Sequence, residues 1–312
     1  MDPEVAQVFP HLPVLDLDDI PAARATMMDM LAAVNKDVPP SPNVTREDHF
    51  VPGLEGEPEV RVRHYRPVEQ SEALPCLYWI HGGGHVLGQI EQDDPMMDHV
   101  VEAIGCAVVS VDWRRPPEHP FPAPMNDCYA GLMWTYKNAA ELRIAPDHIA
   151  IGGASSGGGS AAGLALLARD KGEIPVCFQL LIYPMLDDRN VTPASHAITD
   201  PKVWNRKSNL IGWQAYLGGA AGTDDVSPYA APTRAVDLEG LPPAFIPVGD
   251  LDLFLDEDIE YAQRLLEAGV PTELHVYVGG IHGFDLLAPA SGLAQRFRRD
   301  RDEALRRVFQ GP

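Results

Sequence analysis

Short apolar runs recur along the chain, each bounded by Gly, Pro or charged residues. Residues 60–65 alternate apolar and polar, as a strand with one wetted face does. Residues 76–80, 106–111, 148–151, 176–183, 244–248 and 273–278 are short runs rich in β-branched, aromatic and other apolar residues, which suits strands covered on both faces. Residues 48–51 add an edge strand. Helical spacing fills most of the gaps, as at 124–140, 156–169 and 256–268. This alternation predicts an α/β fold, a mostly parallel eight-stranded sheet flanked by helices. Two segments stand outside it. Residues 1–45 carry an amphipathic helix over 20–34 and then a Pro-rich stretch at 38–44. Residues 187–220 follow a strand and carry Trp204, Leu210, Trp213, Tyr216 and Leu217. Both are read as parts of a lid over the carboxyl ends of the strands, where open α/β sheets bind ligands.

The length, 312 residues, suits one large domain with such a lid, and no linker divides it. No run approaches the roughly 20 apolar residues of a membrane span. Residues 1–10 are acidic and lack the basic start and long apolar run of a signal peptide, so the expected location is the cytoplasm. The net charge of −21 repels nucleic acid and anionic membranes and argues against both as partners. Only five of the 24 basic residues are Lys, a bias compatible with a salty habitat or with genome composition and solubility alone. Cys76, Cys106, Cys128 and Cys177 fit neither a zinc pattern nor a disulfide framework and read as small hydrophobes.

Chemistry enters at Gly153-Ala154-Ser155-Ser156-Gly157, between the strand at 148–151 and a helical run. A sharp strand-to-helix turn with Gly two places either side of Ser lifts the hydroxyl out of the sheet. The following helix aims its N-terminal dipole at developing negative charge. A phosphate loop would need Lys followed by Ser or Thr, and no Lys is near. The second motif, His81-Gly82-Gly83-Gly84, directly follows the strand at 76–80. Glycines leave backbone N–H groups open to a tetrahedral oxyanion, so the N–H groups of Gly83, Gly84 and Ser156 are assigned as its hole. For a general base, His282 follows the strand at 273–278 in a glycine-rich loop, whereas His275 and His148 lie within or at the start of strands. The acid that orients the base should fall between Ser and His in the chain, in the loop after 244–248. Asp250, Asp252 and Asp256 compete there. Asp256 and Glu257 suit the first turn of the next helix, and between Asp250 and Asp252 the pattern leaves the choice open.

With these motifs in order, the chain from about residue 60 to 310 resembles the hormone-sensitive lipase-like carboxylesterases, bacterial esterase family IV. Further matches are 109–123, VSVDWRRPPEHPFPA, with Trp113 where Tyr is usual and Arg115-Pro116 where Leu-Ala is common. Ser227-Pro228, 241–244 and 268–271 match as well. The family's Asp-Pro-Leu-x-Asp-Glu segment aligns with 252–257 and selects Asp252. The resemblance implies an α/β-hydrolase fold with a small helical cap built from 1–45 and 187–220, the catalytic domain being 46–312. It implies a serine carboxylesterase acting on short-chain esters through an acyl-enzyme, with the triad Ser155, Asp252 and His282 and neither metal nor organic cofactor. Met27, His85 and Trp213 are assigned to the pocket, with Met28 and Met30 as neighbours of Met27. Departures stand at Ala154, Ser156 and Gly159, where the family has Asp, Ala and Asn, and at His85, where it has an aromatic residue. His81 reads as an anchor of its loop. An amidase or lactonase on the same triad stays open, while a non-catalytic small-molecule receptor fits poorly because all three triad residues are present. Relatives often pair through the last strand and its neighbouring helix, which implies a homodimer. The helix at 290–308, basic on a very acidic chain, could meet a partner's acidic surface or be neutralised by Asp300, Asp302 and Glu303 through i,i+4 pairs.

Overall fold

The computed structural model describes residues 1–310. One eight-stranded sheet organises it: β1 Val44–Val51, β2 Val60–Pro67, β3 Leu74–Ile80, β4 Ala107–Asp112, β5 Ile144–Ala154, β6 Phe178–Ile182, β7 Ala244–Leu251 and β8 Thr272–Ile281, in the order β1-β2-β4-β3-β5-β6-β7-β8. β2 is antiparallel to both β1 and β4, and every later pairing is parallel. The helices are α1 Pro3–Val8, α2 Ile20–Asn35, α3 Asp94–Ile104, α4 Ala123–Lys137, α5 Ala139–Leu142, α6 Ser156–Lys171, α7 Pro193–Ala197, α8 Arg206–Tyr216, α9 Leu255–Glu267, α10 Phe284–Leu287 and α11 Gly292–Gln310.

The strand period of two divides the core. Tyr78 and Ile80 join Val109, Ile149 and Ile151 in one cluster with α4, α6 and α9, while Leu77 and Trp79 join Val108, Ala150 and Leu180 in another with α3 and α11. Both faces of the central strands are covered, which is why these runs lack polar alternation. The strand expected at 176–183 is shorter, Phe178–Ile182, and at its end Tyr183 leaves it with φ 33°.

The outlying segments fold as follows. α2 starts where Asp19 accepts from Ala22 N at 3.1 Å, with Pro21 in the first turn. Arg24 ties it to the catalytic body through a bidentate contact with Glu118 at 2.7 and 2.9 Å. α8 starts on Asn205, whose side chain accepts from Lys207 and Ser208 N. α1 instead docks on the sheet edge, with Asp2 N donating to Gly279 O at 2.9 Å and Glu4 accepting from Gly292 N at 2.7 Å. Among the described residues no helix is long and apolar enough to cross a membrane.

Candidate active site

β5 ends at Ala154, and the chain turns into α6 through Ser155, whose φ is 57° and ψ −123°. A non-glycine residue in this region is strained. Close packing fixes the turn: a Cβ on Gly157 would overlap Ile80 O and stand 2.6 Å from His81 O, and one on Gly153 would stand 2.7 Å from Ile80 O. The two glycines therefore let the elbow press against the end of β3. Met185 N donates to Ser155 O and Ser155 N to Ile182 O, which pins the turn to the end of β6.

Ser155 Oγ lies 2.9 Å from His282 Nε2, and His282 Nδ1 lies 2.8 Å from Asp252 Oδ2. Asp252, 1 % exposed, also accepts from Phe254 N at 3.0 Å. The edges of Tyr183 and Phe254 flank the imidazole, with ring centroids 4.8 and 5.1 Å from it. Hydroxyl, imidazole and carboxylate are thus in line, the arrangement in which a base takes a hydroxyl proton while a buried acid holds its tautomer. Asp250 turns elsewhere and accepts from Gly279 N at 2.6 Å. Of the other histidines, His275 pairs with Glu273 and His148 with Asp147.

The loop after β3 passes beside Ser155. His81 is fully buried, stacks on Trp113 with centroids 4.8 Å apart, and its Nδ1 is 2.9 Å from Gly82 O. Burial pushes its imidazole down to about 4, so it stays neutral and anchors the loop. Among the described residues the N–H groups of Gly83, Gly84 and Ser156 donate to no backbone carbonyl. They are free for a ligand at the start of α6.

An apolar cavity of about 150 Å³ opens over Ser155 and His282, roofed by Met27, Met30, Leu31 and Val34 of α2 and walled by Trp204, Leu286 and Leu287. Met27 lines this cavity. His85 and Trp213 do not. His85 takes φ 67° and turns away from the cavity, stacking on Tyr216 with centroids 3.8 Å apart, and Trp213 is fully buried beside it. The left-handed backbone at His85 turns its ring toward Trp213 and Tyr216 on the buried face of α8. Burial pushes His85 down to about 3.

The sequence reading did not place Trp204, Tyr183 or Asp93 at the cavity. Trp204 lay in a segment with several aromatics and nothing to single it out. Tyr183 lines the cavity and donates to Asp285 Oδ1 at 2.9 Å. Asp93, 4 % exposed, accepts from Trp79 Nε1 at 2.6 Å, and burial pushes its carboxyl up to about 7. Asp256 and Glu257 do more than complement the α9 dipole. Asp256 accepts from Ala194 N at 2.7 Å, and buried Glu257 accepts from Leu186 and Asp187 N, tying the chain after β6 to α9.

The family described as alpha/beta hydrolase fold matches residues 77–286. The chain belongs to the α/β-hydrolase fold family, as a hormone-sensitive lipase-like carboxylesterase. It is 34 % identical over 304 residues to carboxylesterase NlhH of Mycobacterium tuberculosis, covering 94 % of this chain and 92 % of that protein. It is 33 % identical over 230 residues to an arylesterase of Saccharolobus solfataricus, covering 72 % and 73 %. Among solved structures a bacterial heroin esterase superposes with TM-score 0.96 at 43 % identity, covering 99 % of this chain and 98 % of that one. One departure of this hydrolase from the family elbow now has a physical setting. A Cβ on Gly159 would overlap Met185 O, so the backbone after β6 occupies the space that the family's Asn side chain would need.

Proposed function

We propose that this carboxylesterase hydrolyses short-chain carboxylic esters through an acyl-enzyme on Ser155. The observation that carries the reading is the unbroken contact from Ser155 Oγ through His282 to Asp252, at 2.9 and 2.8 Å, at the floor of an apolar cavity. His282 Nε2 takes the Ser155 proton as Oγ bonds to the ester carbonyl carbon. The carbonyl oxygen gains the negative charge and is met by the N–H groups of Gly83, Gly84 and Ser156. Collapse breaks the bond to the alcohol oxygen, which leaves with the proton from His282. Water then repeats the two steps, releasing the acid and restoring Ser155. Asp252 accepts from His282 Nδ1–H and keeps the ring oriented through both steps. The carboxylesterase and arylesterase names of the relatives favour esters over amides and lactones as substrates. The cytoplasm is the compartment this reading assigns; Cys76, Cys106, Cys128 and Cys177 are all unpaired, as thiols are in a reducing environment.

The test is Ser155→Ala assayed on p-nitrophenyl esters, with an amide and a lactone alongside. A loss of several orders of magnitude in kcat, with the fold unchanged by circular dichroism, is expected. Retention of more than about one per cent of wild-type activity by a clean preparation overturns the nucleophile assignment.

A further inference from the structure

Three directions leave the carbonyl carbon of a bound ester, and two of them are already committed. The carbonyl oxygen faces the free N–H groups of Gly83, Gly84 and Ser156. The leaving oxygen must face His282 Nε2, which supplies its proton. The acyl substituent takes the third direction, away from His282. The indole of Trp204 lies over Gly84 and lines the same cavity as Ser155. The ring lies so close that a Cβ on Gly84 would overlap its Cη2 and stand 2.5 Å from Cζ3. Gly84 itself has φ 57°, so its conformation as well as the indole restricts the position to glycine.

The indole is held rather than loosely placed. Trp204 Nε1 donates to Asn209 Oδ1 at 2.9 Å, and Asn209 Nδ2 donates to Asn190 Oδ1 at 2.6 Å. Asn209 and Asn190 are 0 % and 1 % exposed. A chain of two buried amides fixes a bulky ring, and breaking it would strand polar groups away from water. Leu286, Leu287 and the α2 side chains Met27 and Met30 line the same cavity.

We propose that Trp204 stands on the acyl side of Ser155 and sets the acyl-chain limit of this enzyme. The inference rests on the esterase reading above and names the residue behind its short-chain preference. A rigid wall rejects added methylenes more strongly than a pocket loses affinity for missing ones, because overpacking forces the tethered ring and its buried amide partners to move.

The experiment measures kcat/KM on p-nitrophenyl acetate, butyrate and octanoate for the wild type, Trp204→Ala and Trp204→Phe, with thermal midpoints recorded for each. For the wild type the octanoate-to-acetate ratio should be about tenfold or more below unity. Trp204→Ala should raise that ratio by about tenfold or more, and Trp204→Phe, which keeps an apolar ring of smaller reach, by less. A ratio in folded Trp204→Ala equal to that of the wild type overturns the proposal while leaving the esterase reading intact. If Trp204→Ala does not fold, the Phe variant decides: an unchanged ratio overturns the proposal and a raised one supports it. A wild type that cleaves octanoate as well as acetate overturns both the Trp204 limit and the short-chain preference, and a wild type inert to every ester overturns the esterase reading itself.

Discussion

Asp252 Oδ2 stands 2.8 Å from His282 Nδ1, whereas Asp250, two residues earlier, accepts from Gly279 N at 2.6 Å. Register explains the division. β7 pairs evenly with β8 up to Gly249, then shifts before Leu251 meets Ile281, so the two carboxylates are directed to different places.

This division predicts a clear contrast between two substitutions. Asp252→Asn should lower kcat by about 10³ to 10⁴-fold, because the amide can hold the wrong imidazole tautomer and cannot stabilise the imidazolium. Asp250→Asn weakens a hydrogen bond that joins β7 to β8 and should act mainly on stability, by about 1 kcal/mol. Parallel kinetics and thermal melts decide, and a larger kcat loss in the Asp250 variant would assign the orienting acid to Asp250.

The rate should fall on the acid side as His282 takes a proton and ceases to be a base. The other histidines near the site do not blur this limb. Burial holds His81 and His85 neutral until about 4 and about 3. Asp93 lines the same cavity and ionises near 7, so the profile should also be measured in Asp93→Asn. The acid limb is expected to persist in that variant. A kcat/KM flat down to about pH 4, in enzyme shown to be folded, is incompatible with a histidine base.

Much of this site is legible in the chain because its chemistry constrains the backbone. The glycines around Ser155 permit close contact with β3, the Gly83–Gly84 loop must expose N–H groups, and His282 follows the last strand. Such requirements leave Gly, Ser and His at fixed spacings. The acid resisted because two Asp residues two apart look alike until the irregularity between β7 and β8 separates them. The pocket resisted for another reason. Trp204 and Trp213 occupy one apolar, aromatic segment, and only the fold sends the first onto Gly84 and the second into the core. His85 was assigned to the pocket wall from the aromatic residue the family carries there, and its left-handed backbone leaves no mark in the sequence. Asp93 is one of 45 acidic residues, and nothing local distinguishes it.

A homodimer is expected through the outer edge of β8, the last strand of the sheet. Val276 and Val278 lie on one face of this strand, 42 % and 74 % exposed, an apolar edge of the kind that pairs with another chain. The basic helix α11 contributes less charge than its sequence suggests. Arg301 is buried against its neighbour Asp302, Arg307 pairs with Glu273, and Arg306 reaches Glu303 at i,i+3 rather than through an i,i+4 pair. Light scattering at micromolar concentration should give twice the chain mass for the wild type and a single chain mass for Val278→Asp. A wild-type monomer at every concentration and salt level removes the dimer.

Asp93 gives a prediction about stability with a definite sign. Its carboxyl is buried and raised to about 7, and the hydrogen bonds from Trp79 and Gln92 offset only part of the burial. In the unfolded chain an Asp ionises near 3.9. Below that pH both states hold the proton, and the stability contributed by the group is fully present. As pH rises from about 4 to about 7 the unfolded chain loses its proton first, so stability falls; above about 7 both states are ionised and the loss is constant. Asp93→Asn keeps an acceptor for Trp79 Nε1 and cannot ionise. Relative to wild type it should be nearly neutral at pH 4 and gain stability through pH 5 and 6, with a plateau above pH 7 of order 2–4 kcal/mol. Thermal or urea unfolding of both proteins at pH 4, 6 and 8 checks this. A stability difference that does not change with pH would show that Asp93 ionises alike in the folded and unfolded states, and a variant less stable at pH 8 would show that its carboxylate is a stabilising group.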